Sequence, residues 1–226
     1  MPQKRAAMNW LTQNTSQIMD YALQHIVLSA LPIIIGTLIA VPLARLANGA
    51  RLTRVSLYVA SSVLYAIPSL PLLIFLPALL GTRILDPINI EVALTIYAVA
   101  IMLTSASHAF LSIDSNAMHA ADAMGFGVWK KFFQVELPLA GTQLLAGIRV
   151  VSVSTISLVT VGSLIGVNSL GFFFLEGYQR DFPFEIWVGI VGTALIALIF
   201  DQILAVSGRL LMPWNRHGPA GRGSVA

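Results

Sequence analysis

Ile26-Val27-Leu28-Ser29-Ala30-Leu31-Pro32-Ile33-Ile34-Ile35-Gly36-Thr37-Leu38-Ile39-Ala40-Val41-Pro42-Leu43-Ala44 carries no charge, and Ser29 and Thr37 are its only hydroxyl side chains. It belongs to an apolar block at 22–44, long enough to cross a bilayer core of about 30 Å, which takes a helix of about 20 residues. Four more blocks of this kind follow, at about 56–80, 92–111, 143–166 and 186–208. Lipid offers the backbone no hydrogen-bond partners, so each block must be helical wherever it meets lipid. The expected fold class is all-α integral membrane, with five transmembrane helices.

Composition points the same way. Of 226 residues, 57% are hydrophobic and 10% charged, where a soluble domain carries about 25% charge. The pI near 9.5 is no footprint for nucleic acid, because the net charge is only +3 and the basic residues form short clusters between apolar blocks. Absence of cysteine excludes a disulfide framework, a thiolate metal site and a thiol nucleophile. Lys4 and Arg5 lead into Asn9, Gln13, Asn14, Thr15, Ser16, Gln17 and Asp20 rather than an apolar run. That is not a signal-peptide pattern, so the first span is expected to be retained, with 1–21 as an external segment.

Lysine and arginine set the orientation. Arg45, Arg51, Arg54, Lys130, Lys131, Arg209, Arg216 and Arg222 fall on one side of the five-span arrangement, and Lys4, Arg5, Arg83 and Arg180 on the other. The richer side is cytoplasmic, which predicts an external N-terminus, a cytoplasmic connection at 112–142 and a cytoplasmic, flexible tail at 209–226. Pro32, Pro42, Pro68, Pro71 and Pro77 interrupt the spans, each removing a backbone donor. The second span, with Ala66-Ile67-Pro68-Ser69-Leu70-Pro71, is the most broken; it is expected to line a solute path, with a merely bent packing helix as the plainer alternative.

The 112–142 connection holds Asp114-Ser115-Asn116-Ala117-Met118-His119-Ala120-Ala121-Asp122-Ala123-Met124-Gly125-Phe126-Gly127. Asp114 can cap the free amides of a short helix, and Gly125 can take the left-handed conformation that ends it. Small residues at 117, 120, 121 and 123 leave a surface that another protein can approach closely. Beyond it, Trp129, Phe132, Phe133 and Val135 are expected against the membrane surface with Lys130, Lys131 and Glu136 in water. Pro138 is expected to break the chain before the fourth span.

Ala120, Ala121 and Gly125, with Leu137 and Pro138 downstream, match the signature Glu-Ala-Ala, three residues, Gly, then Leu-Pro. In this the chain resembles the permeases of binding-protein-dependent type I ABC importers. His119 stands where the family has Glu. The resemblance implies a coupling helix seated on an ATPase, formed by Ala117, His119, Ala120, Ala121, Asp122, Met124, Gly125 and Phe126, with Asp122 available to replace the missing carboxylate. Ala66-Ile67-Pro68-Ser69-Leu70-Pro71-Leu72-Leu73, Leu145-Ala146-Gly147-Ile148-Arg149 and Leu164-Ile165-Gly166 with Leu170-Gly171 look like the osmoprotectant class, whose solutes include glycine betaine, choline and carnitine. Permeases for other solutes, amino acids among them, share much of this pattern. Further partners implied by the resemblance are a second permease, two ATPase subunits carrying ATP and Mg, and an external solute-binding protein. No G-x-x-x-x-G-K-[ST] sequence occurs, so hydrolysis falls to the partner and this chain is read as a transport subunit rather than an enzyme.

A path needs hydroxyls on otherwise apolar helices. Ser152, Thr155, Thr160 and Ser163 share an arc of roughly 140° on the fourth span, with Ser154 and Ser157 pointing elsewhere; bonding within the helix bundle is the alternative. Pro68 and Ser69 join this set, and Thr104 and Ser107, beside Ser105 and His108, mark the cytoplasmic end of the third span. Arg149 and Asp201, the two charges inside spans, fall at similar depth and can pair. The external segment 171–184 is rich in Phe and Tyr. It fits an interfacial belt, or alternatively a cation–π surface, and Glu176, Tyr178, Arg180 and Asp181 are assigned there to docking of the binding protein. The histidines are dispersed and no set of catalytic groups converges. A secondary transporter, the remaining alternative, would show a repeated bundle and coupling acids.

Overall fold

The computed structural model describes residues 2–214, with side chains from residue 7 onward. The last twelve positions, with Arg216, Arg222 and most of the tail expected to be flexible, lie outside the described residues. Every regular element among the described residues is helical: α1 (Pro2–Ala47), α2 (Arg51–Ala66), α3 (Ser69–Leu80), α4 (Pro87–Leu111), α5 (Ser115–Ala123), α6 (Val128–Lys131), α7 (Leu137–Gly162), α8 (Phe172–Gln179) and α9 (Pro183–Leu211), with a π turn at Phe132–Glu136 and a 3-10 turn at Ser163–Ile165.

Four of these helices, counting α7 with its flanking turns, are long and apolar enough to cross a membrane. The pair α2 and α3, at 16 and 12 residues, qualifies only jointly, and the chain bends by 97° between them. Ile67 and Pro68 are both extended there, with ψ of 125° and 135°. Pro68 has no amide to continue α2, and a residue before proline avoids the helical region. At the other end, α1 begins at Pro2 and runs without interruption, so the described part of the 1–21 segment is helix joined directly to the first span.

α4 is the centre of the bundle, with α1, α2, α3 and α7 against it. Close approach depends on missing side chains. A Cβ at Gly36 of α1 would lie 2.6 Å from the Ala98 Cβ, and one at Gly147 of α7 would lie 2.8 Å from the Ser105 Cβ. Small residues of this kind let membrane helices pack backbone to backbone, where dispersion replaces the missing hydrophobic drive. Ile33, Ala40, Ala98, Met102, Leu103, Ala106, Leu144 and Val151 fill that core. α9 packs on α7 and α8 at the edge and leaves Leu195, Leu198, Ile199 and Ile203 exposed.

Candidate functional site

The bend between α2 and α3 opens a cleft of about 540 Å³, lined by Tyr65, Pro68, Ser69, Tyr97, Ser154 and Ser157 among others. Tyr97 of α4 donates its hydroxyl to the Ile67 carbonyl at 2.5 Å, taking up a carbonyl freed by the break. A second cleft adjoins the first through Tyr65 and Ser154 and reaches Ser62 and Thr104. A third shares Val153 and Ser154 and reaches Arg149 and Asp201. Those two side chains form a bidentate pair, with contacts of 2.5 and 2.7 Å joining α7 to α9.

Of the two readings open for the hydroxyl arc at 152–163, a solute path or bonding within the bundle, its surroundings fit the second. Ser152, Thr155 and Ser163 are buried within the protomer, on the same face as Val151, Ile156 and Val159. That face meets α1, where His25 Nε2 donates to the Ile156 carbonyl at 3.0 Å, and Ser163 meets the Ser169 hydroxyl at 2.7 Å. Thr160 is half-buried and donates to the Ser157 carbonyl. Ser154 and Ser157, set aside on sequence grounds, line the cleft instead. Pro68, Ser69 and Thr104 also line clefts. Ser107 does not: it donates to Asn48 Oδ1 at 2.7 Å, and with that proton committed Tyr58 must donate to its hydroxyl at 2.9 Å. It is a node tying α2 and the α1–α2 turn to α4.

Between α4 and α7 the chain forms a compact hook. The Asp114 carboxylate accepts the Asn116 amide at 2.9 Å, starting α5. Gly125 ends the turn at φ 73°, a conformation open to glycine at no steric cost. His119, Ala120, Asp122, Ala123 and Met124 are exposed, while Ala117 and Phe126 are half-buried. Ala121 is only 1% exposed, so it seats α5 on the protein and is not part of an open surface. Asp122 is already engaged, accepting from Lys131 Nζ at 2.6 Å, and Lys130 lies 4.1 Å over the Phe126 ring.

Two further expectations fail in this hook. Glu136 is 4% exposed rather than wet, because its carboxylate takes both Arg45 Nε at 2.8 Å and Arg45 Nη2 at 3.0 Å. Pro138 does not break the chain. The π turn before it lengthens the repeat, with the Leu137 amide bonding the Phe132 carbonyl, and Pro138 falls in the first turn of α7, where its missing amide costs nothing. The extra residue per turn is what swings Glu136 inward toward α1.

At the opposite end, the aromatic segment is packed rather than open. Trp10 of α1 stands edge-on to Phe173, Phe182 and Phe184, and Tyr21 stands edge-on to Phe172. Tyr178 is 79% exposed, Glu176 pairs with Arg180 one turn on, and Asp181 holds a left-handed φ of 51° at the turn into α9. Sequence reading missed Tyr65, Tyr97 and the Arg45–Glu136 clamp. Tyr65, close before Pro68, was the available signal for the first; nothing local connects Tyr97 to the break or Arg45 to Glu136.

A bundle of helices long and apolar enough to cross a membrane, bent at one span and with a short helical hook between α4 and α7, is the architecture of a membrane-embedded component. The chain belongs to the family described as binding-protein-dependent transport system inner membrane component, which matches residues 32–216. Among curated proteins it is 29% identical over 216 residues to the glycine betaine/carnitine/choline transport system permease protein OpuCB of Bacillus subtilis, covering 93% of this chain and 96% of that one. It is 30% identical to the carnitine transport permease protein OpuCB of Listeria monocytogenes, covering 88% and 90%. Among solved structures, an inward-facing form of the MetNI methionine ABC transporter shares the fold at TM-score 0.71 and 18% identity, over 86% of this chain and 97% of that one.

Proposed function

We propose that this chain is the permease of an ATP-driven importer for quaternary-amine osmoprotectants such as glycine betaine, choline or carnitine. The observation that carries this reading is the nearly end-to-end similarity to permeases named for those solutes. In this reading an external binding protein delivers the solute to the end that presents Glu176, Tyr178, Arg180 and Asp181. Two permeases, this chain with an identical or homologous partner, enclose the path, and two ATPase subunits carrying ATP and Mg dock on the exposed face of α5. The N-terminus is external and the C-terminus cytoplasmic. ATP closure pulls α5 together with the hook, and the Arg45–Glu136 clamp carries the movement into α1 and α7. Alternating exposure of the clefts beside Pro68, Ser69, Ser154 and Thr104 moves the solute.

The test uses the complex with its ATPase and binding protein in lipid. Glycine betaine is expected to stimulate hydrolysis, and Ala120→Glu, a bulky charge on the exposed face of α5, is expected to return the rate to its unstimulated level. Ala121 is unsuitable because it is buried. Stimulation that survives Ala120→Glu contradicts the docking face, and stimulation by amino acids alone contradicts the solute class.

A further inference from the structure

We propose that the break between α2 and α3 holds the trimethylammonium end of the solute during passage, with the ring of Tyr65 as its cation–π surface. This rests on the solute class proposed above and adds a station for it within this chain.

Three features converge there. First, the cleft has the size of a small-molecule site, and no Asp, Glu, Lys or Arg lines it. Second, Tyr65 is 57% exposed and meets Tyr97 edge-to-face at a centroid distance of 6.3 Å. Such a pair covers at most one face of one ring, so Tyr65 keeps aromatic surface turned outward. Third, α2 ends at this point with no basic residue in its last turn. Its terminal carbonyls place partial negative charge at the break, and broken helices in membrane transporters use such ends to hold cations.

A trimethylammonium group donates no hydrogen bonds and spreads its charge over its methyl groups. Aromatic faces and carbonyl dipoles suit it better than a hydrogen-bonding carboxylate does. A site without a formal countercharge also releases its occupant, as passage requires; a deep ion pair would trap it. Arg149, which lines the adjoining cleft, is neutralised by Asp201 at 2.5 Å. From Tyr65 the second cleft continues past Ser154 toward Ser62 and Thr104, offering hydroxyls to the polar end of the solute.

The experiment measures ATP-driven choline uptake by the complete complex in vesicles with Tyr65→Phe and Tyr65→Leu. Uptake close to wild type for Tyr65→Phe and a loss of about tenfold for Tyr65→Leu are expected. A second measurement needs no variant: saturation-transfer NMR on the permease–ATPase complex without binding protein, comparing choline with 3,3-dimethylbutan-1-ol, its neutral carbon isostere. Transfer to choline well above that to the isostere supports the site; equal transfer to both overturns it. Normal wild-type choline uptake that Tyr65→Leu leaves unchanged overturns the site alone. Failure of the wild type to import any quaternary amine overturns the solute class, and the site with it.

Discussion

α4 and α9 are similar in length and apolarity, yet half of the most apolar stretch of α4 is buried in the protomer against 11% for α9. α4 carries small residues, Ala93, Ala98, Ala100, Ala106 and Ala109, on the faces that meet α1, α2 and α7. α9 presents Leu195, Leu198, Ile199 and Ile203 outward. Apolar composition therefore marks a span without saying what covers it; α9 also has small residues, but Gly189 and Gly208 meet Phe174 and Leu145 on its inner side while its outer face stays large and apolar. The consequence is a closely packed α1–α4–α7 centre with α2, α3 and α9 arranged around it, and the clefts lie where those outer helices leave the centre.

The sharpest way to break this contrast is Gly36→Leu. A single Cβ at Gly36 already falls 2.6 Å from Ala98, and the whole side chain should destabilise the protomer by about 3 kcal/mol or more. Loss of folded protein in thermal unfolding of the detergent-solubilised chain is the expected readout, and a stable variant would show that α1 and α4 do not pack as described. A smaller effect is expected at the edge. Arg149→Leu and Asp201→Leu should each loosen α9 from α7, and the exchange Arg149→Asp with Asp201→Arg should restore what either single change loses. Protease accessibility of the α8–α9 turn follows this, and an exchange no better than the single variants would contradict a direct pair.

Much of this architecture was legible in the sequence, because apolar block length and the Pro68 break are local properties. The ends of α5 were legible for the same reason: Asp114 and Gly125 act on neighbouring backbone. The direction of the α7 arc was not. Periodicity groups Ser152, Thr155 and Ser163 on one face, but hydroxyls suit a buried seam in lipid as well as a wet path, and the phase relative to α1 and α4 is a tertiary fact. Glu136 was read as wet from the amphipathic pattern that sets Trp129, Phe132, Phe133 and Val135 against the membrane surface and the charged residues in water. Its partner, Arg45, lies 91 residues away, and the π turn that aims it inward has no sequence signature in the amphipathic pattern.

The central claim is that this permease passes quaternary amines under the control of a partner ATPase. Its most direct test is uptake of labelled glycine betaine by vesicles containing the complete wild-type complex, with binding protein outside and MgATP or its non-hydrolysable analogue inside. Accumulation above the external concentration with MgATP, and none with the analogue, is the predicted result. Accumulation driven by an ion gradient without hydrolysis, or ATP-driven uptake of amino acids with none of glycine betaine, choline or carnitine, would contradict it.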